Sequence, residues 1–167
     1  MTTYSCYGLV IDSEVELPDL GDPIAAVTPD VTIRIGTLAP PVDTDPLPYG
    51  LWRAGDACGV DVPDVARYAA RAGREVTIDP VPGADPKAVR LFLLGTVMGA
   101  VMMQRDHLVL HGNAIRIGDA CAVVLGHSGA GKSTLAAEFD RRGYDGFSDD
   151  VVPVDASGRA IPGYPRI

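Results

Sequence analysis

Hydrophobic and polar positions alternate through residues 31–35, where Val31, Ile33 and Ile35 oppose Thr32 and Arg34, the period-two pattern of a half-buried strand. Residues 7–10 form another short β-prone run, and 55–62 and 74–78 predict two further strands. Between them, residues 39–50 hold Pro40, Pro41, Pro46 and Pro48, which neither a helix nor an inner strand accommodates, so this stretch reads as a surface loop. The pattern changes at Asp85-Pro86: Asp accepts orphan amide hydrogens at an N-cap, Pro fits the first helical position, and the apolar run that follows predicts a helix to about Arg105. That helix is apolar on nearly every face and is expected to be buried.

Residues 108–117 and 120–125 are β-prone and are split by Gly118-Asp119, a pair that favours a tight turn and hence a hairpin. Residues 132–142 then read as a helix with Leu135, Ala136 and Phe139 on one face and Gly143 at its C-terminal stop. A last strand is expected around Phe147 and residues 151–154, with Asp149-Asp150 at its start. No internal repeat is visible. The expected fold is α/β with an α+β tendency: a mixed β-sheet, a β-rich part over 1–84, and a core over 85–167.

Composition narrows the classes. With 22 acidic against 14 basic side chains, the formal charge of −8 argues against a nucleic-acid or anionic-membrane partner, because both need a positive surface. Residues 91–103 are the most lipid-like run, yet they are shorter than the roughly 20 residues of a membrane span, and Gly95 and Gly99 interrupt them. Residues 1–5 lack the basic, apolar pattern of a secretory signal, and none is expected. Cys6, Cys58 and Cys121 are odd in number and widely spaced, which suits free thiols in a reducing cytoplasm.

Strong chemistry enters at Gly126-His127-Ser128-Gly129-Ala130-Gly131-Lys132-Ser133, which fits G-x-x-x-x-G-K-[ST] between an expected strand and an expected helix. Glycines let the backbone curl so that successive N–H groups face phosphate oxygens, and the helix N-terminus adds partial positive charge. Gly126 to Ser133, with Thr134, form the expected binding site for ATP. Lys132 is expected at the β- and γ-phosphates and the Ser133 hydroxyl on Mg²⁺.

Phosphoryl transfer to a hydroxyl needs a base and commonly a second carboxylate by the metal, which nominates Asp149 and Asp150. A strand beside the 120–125 strand would carry that pair to the loop, although adjacent acids are also common on solvated turns. His111 lies in a run expected to pair with 120–125 and so near the phosphates, although a lone His is more often a plain core or surface residue.

Taken together, Leu110-His111-Gly112-Asn113, the loop from Gly126 to Ser133, Arg142-Gly143-Tyr144 and Ser148-Asp149-Asp150 resemble the C-terminal catalytic domain of HPr kinase/phosphorylase. The resemblance covers about residues 108–154, and position 127 is His where that family usually has Asp. It implies a core related to phosphoenolpyruvate carboxykinases, with Asp150 as the base that deprotonates an acceptor serine, His111 as its active-site partner, and Ser133 as a metal ligand. Asp149 is the further metal-side carboxylate. Tyr7-Gly8-Leu9 and Ser13 to Pro18 are similar to short HPr-kinase-like proteins of peptide biosynthetic clusters, some of which phosphorylate a lasso-peptide precursor. The expected activity is therefore an ATP- and Mg²⁺-dependent serine kinase acting on a peptide or protein. A sugar or other small-molecule kinase and a non-catalytic ATP-binding regulatory module are the alternatives. HPr kinases form hexamers, so a homo-oligomer is a further expectation. Gly163 to Ile167 end in mid-pattern, from which a truncated chain is expected, with the family's additional metal-binding glutamate beyond Ile167.

Overall fold

Strand-forming patterns in the first half assemble side by side. A computed structural model describes residues 1–40, 42, 44–47, 50–127 and 129–164. It is mixed α/β with a mostly sheet core, and the chain divides into two units, Met1–Ser5 with Leu9–Arg105, and Cys6–Gly8 with the chain from Asp106 onward. The division thus falls after Arg105, not between 84 and 85, so the long helix belongs with the first unit.

Eight strands make the sheet of that unit among the described residues: β1 (Thr2–Cys6), β2 (Leu9–Ser13), β3 (Val31–Ile35), β4 (Asp45–Pro46), β5 (Leu51–Ala54), β6 (Ala57–Val62), β7 (Ala66–Arg71) and β8 (Glu75–Pro80), in the order β1-β2-β3-β8-β7-β6-β5-β4. β3 runs parallel to β2 and β8, while β4 to β8 are an antiparallel meander, so the sheet is mixed. Val31 and Ile33 are buried as their alternation predicts, but Ile35 is exposed.

Three expectations change. Residues 7–10 are not one strand: Tyr7, at φ 54°, and Gly8 make a turn between β1 and β2. β1, β5 and β7 are additional. In the 39–50 loop, Asp45–Pro46 pairs with β5 at the sheet edge, where a proline without an N–H is tolerated; Pro41 and Pro48 lie outside the described residues.

The helix runs from α1 (Pro86–Phe92) through a π-helical turn (Leu93–Val97) into α2 (Met98–Gln104). The Asp85 carboxylate accepts the Lys87 N–H at 2.9 Å, the N-cap its sequence announces. At 19 residues the helix is long and apolar enough to cross a membrane, but half of its apolar window is buried, as in a core helix. Leu93, Leu94, Met98 and Met102 are fully buried, each worth about 1.5–3 kcal/mol of apolar transfer. Its last residue, Gln104, fastens it down: Oε1 accepts the Gly73 N–H at 2.9 Å and Nε2 donates to the carbonyls of Asp56 and Ala70 at 3.0 and 3.2 Å.

Tyr68 of β7 is fully buried and its hydroxyl donates to the Val89 carbonyl of α1 at 3.0 Å. Burial pushes its phenol up to about 12, above the ordinary tyrosine range. The unfolded chain therefore releases this proton first as pH rises, so the contribution to stability is intact below about pH 10 and is lost as pH rises toward 12. Tyr68→Phe should cost about 0.5–1.5 kcal/mol at pH 7 through the lost hydrogen bond and should flatten the alkaline decline. Urea midpoints measured from pH 8 to 11.5 check both parts; parallel curves for the two proteins would refute the assignment.

The second unit is built on β9 (Leu108–Ile117). β10 (Ala120–Leu125) pairs antiparallel with it from the Gly118-Asp119 turn, at Ala120↔Ile117 through Leu125↔Gly112. α3 (Lys132–Arg141) follows, ending at Gly143, whose φ of 84° suits glycine. β11 (Gly146–Ser148) and β12 (Val151–Val154) then run antiparallel to β9, with a register shift between Gly146 and Ser148. Within α3, Ala136 is buried as expected, whereas Leu135 is exposed.

Candidate functional site

Glycine chemistry shapes the loop between β10 and α3. Gly129 and Gly131 have φ of 80° and 85°, left-handed values at which a Cβ is strained, and Gly131 is the residue on which α3 begins. Lys132 folds back so that Nζ donates to the carbonyls of Gly126 and His127, at 2.8 and 3.2 Å, and the Ala130 N–H donates to the His127 carbonyl at 3.1 Å. Ser128 lies outside the described residues.

The acidic pair sits where β11 passes into β12. The Val151 N–H donates to the Asp149 carbonyl at 2.8 Å with Asp150 between them at φ 67°, a γ-turn of the rare, strained hand. The turn is braced by the buried Ser148, whose Oγ donates to the Val151 carbonyl at 2.6 Å, and by Gly112 of β9, whose N–H donates to the Asp150 carbonyl at 3.2 Å. Left-handed φ is uncommon outside glycine, although Asp tolerates it better than most residues, and such strain gathers at functional sites.

Two β9 side chains reach these carboxylates. His111 Nδ1 lies 3.1 Å from both the Asp150 carbonyl and Asp150 Oδ1. Both partners are acceptors, which assigns the ring hydrogen to Nδ1 and leaves Nε2 as the free nitrogen. The pair is open to solvent, His111 64% and Asp150 41% exposed, so it orients more than it stabilises. Asn113, two residues on and buried, donates from Nδ2 to Asp149 Oδ1 at 2.5 Å.

The strand carrying the acids is not the neighbour of β10, as the sequence led us to expect. β11 and β12 pair with β9, so β9 lies between the loop strand and the acidic turn, and His111 itself pairs with Val151. The groups meet nonetheless: His111, Asn113, Gly129, Gly131, Lys132, Ser133, Thr134, Asp149 and Asp150 line one pocket of about 390 Å³, within the roughly 300–1,000 Å³ of small-molecule sites. Gly126, His127 and Ala130 belong to the loop but do not line it. Asn113 and Ser148 are the additions. Both stand inside the motifs that carry the resemblance, next to His111-Gly112 and to Asp149-Asp150, and that adjacency was the signal available for them.

Among the described residues no group of three or more His, Cys, Asp or Glu side chains is placed to hold a metal ion. Mg²⁺ does not need such a group, because it is commonly held by one or two protein oxygens together with phosphates and water, and Ser133 and Asp149 supply such oxygens to this pocket. No protein-family model, curated protein or solved structure matches the chain.

Proposed function

We propose that this chain is an ATP- and Mg²⁺-dependent kinase of the HPr-kinase-like kind, with a P-loop at Gly126–Ser133 and a core related to phosphoenolpyruvate carboxykinases, transferring the γ-phosphoryl group to a serine of a peptide or protein. The observation that carries the reading is convergence: Lys132, Ser133, Asp149, Asp150 and His111, spread over 40 positions of sequence, line one polar pocket.

Bound Mg²⁺·ATP supplies an electrophilic γ-phosphorus. Loop amides and Lys132 hold the phosphates, for which the glycine backbone leaves room. Ser133 and Asp149 would hold the metal, and Asn113 fixes one oxygen of Asp149. Asp150 takes the proton of the serine hydroxyl as the new O–P bond forms and the β,γ-bridging bond breaks; His111 orients its carboxylate. Burial pushes the Cys6 thiol up to about 12 and also raises Cys58, which disfavours either as a nucleophile at neutral pH.

Titration with a fluorescent ATP analogue and Mg²⁺ tests the nucleotide site. Removing the Lys132 ammonium deletes charge-assisted hydrogen bonds of about 1.5–3 kcal/mol, so Lys132→Ala should weaken binding by roughly 10- to 100-fold. Equal affinity of variant and parent would sink the phosphate-binding role. Labelled ATP offered with serine peptides, sugars or no acceptor then separates a protein kinase from a sugar kinase and from a regulatory module.

A further inference from the structure

Among the described residues β10 is an edge strand, pairing with β9 and with no other. Its register, Ala120↔Ile117, Ala122↔Ile115 and Val124↔Asn113, closes on a two-residue turn, so these are the hydrogen-bonded pairs, and Cys121, Val123 and Leu125 direct their N–H and C=O groups away from β9. The bonds on the far side of β9 have the matching parity: the N–H groups of Gly112 and Arg116 donate to the carbonyls of Asp150 and Asp145. The strand Ala-Cys-Ala-Val-Val-Leu holds neither charge nor proline, the devices that ordinarily block an edge.

Beside that edge lies a trough of about 690 Å³, floored in part by Cys121, Val123 and Phe147. Two exposed arginines line it. The Arg116 guanidinium lies 5.6 Å from the Phe147 ring centroid, and neither Arg116 nor Arg159 has a carboxylate within ion-pair distance among the described residues, whereas eight other arginines do. Among the described residues Asp119 is the one carboxylate that lines it. On a chain of net charge −8, a part-apolar trough lined by two guanidinium groups that make no close ion pair among the described residues is the exception, although Arg159 also feels the charge of Asp155.

We propose that an extended, acidic segment of a partner polypeptide docks on β10 as an added strand, its alternate side chains entering the trough where Arg116 and Arg159 meet its carboxylates. Main-chain bonds to Cys121, Val123 and Leu125 provide affinity, and the arginines provide selectivity. A second copy of β10 fits worse, because it has no carboxylate between Ala120 and Leu125. β10 leads directly into the Gly126 loop, so a strand added here has one end beside the nucleotide pocket. Naming its owner as the acceptor polypeptide rests on the kinase reading.

Fluorescence polarisation with a labelled decapeptide of alternating Glu and Val tests the surface. Saturable binding is expected, at least tenfold weaker for the Lys-Val peptide, for the Glu-Val peptide N-methylated at alternate amides, and for Arg116→Glu/Arg159→Glu. Val123→Pro removes an outward N–H without touching the β9 ladder and should weaken binding equally; the arginine variants decide the matter if it does not fold. Absence of binding, equal binding of the Lys-Val peptide, or indifference to the arginine variants would overturn the proposal. So would a dimer in sedimentation that Val123→Pro dissociates, since the edge would then belong to a second copy. Lys132→Ala should bind the peptide normally. Docking without phosphoryl transfer to any serine peptide refutes the kinase reading alone, and transfer to a serine-bearing Glu-Val peptide that ignores the arginine variants refutes the docking surface alone.

Discussion

Asp150→Asn should leave Mg²⁺·ATP affinity within about twofold and lower phosphoryl transfer by roughly 10²- to 10⁴-fold, the contribution of a positioned general base. The substitution is nearly isosteric, and Asn, like Asp, tolerates the left-handed φ of 67°. Its side-chain oxygen still accepts from His111 Nδ1, and the backbone bonds of the γ-turn are unchanged, so what disappears is the capacity to take a proton. Asp150→Gly provides the contrast. It relieves the positive φ, which costs an ordinary L-residue roughly 1–2 kcal/mol and Asp less, so it should unfold at slightly higher urea while losing transfer as completely as Asn. A stability gain joined to lost activity locates the strain in a functional carboxylate. Single-turnover transfer of labelled phosphate, read beside nucleotide titrations, makes the measurement. Full activity of Asp150→Asn would exclude Asp150 as the base.

Local signals made much of the second unit legible. Gly118-Asp119 announced the β9–β10 hairpin, and the glycines around Lys132 announced the loop and the start of α3, because a two-residue turn and a left-handed backbone each demand particular residues within a few positions. Where the deciding contact was distant, the reading failed. β7 is Ala-Arg-Tyr-Ala-Ala-Arg, poor in β-branched residues, and it is a strand because Ala66, Tyr68 and Ala70 are buried on one face while β6 and β8 pair on either side. Tyr7 belongs to a β-prone run yet occupies a turn. The acidic pair was nominated from sequence for its chemistry but not as a γ-turn between two strands, since its braces come from Gly112 and Ser148. Leu135 is apolar and exposed, showing that helical period alone did not identify the covered face of α3.

Gly112→Ala should be strongly destabilising, costing about 3 kcal/mol, the upper part of the range for overpacking a closed site. A Cβ at this position would stand 2.4 Å from the Val124 carbonyl oxygen and 2.9 Å from Leu125 Cδ2. The first is main chain held in the β9–β10 ladder, so it cannot swing aside as a side chain would. Ordinarily Gly→Ala in extended backbone gains about 0.4–1 kcal/mol by restricting the unfolded chain; here close approach reverses the sign. The Gly112 N–H also holds the Asp150 carbonyl, so displacing β9 from β10 shifts the acidic turn and should lower phosphoryl transfer as well. Gly118→Ala is the control: no heavy atom lies within 4 Å of its Cβ position, and only the φ of 60° opposes it. Urea midpoints should fall far more for Gly112→Ala than for Gly118→Ala, and amide exchange should accelerate along residues 112–117 and 120–125. Equal midpoints for the two variants would mean that the hairpin relaxes around the methyl, and that the glycine after His111 is not required by packing.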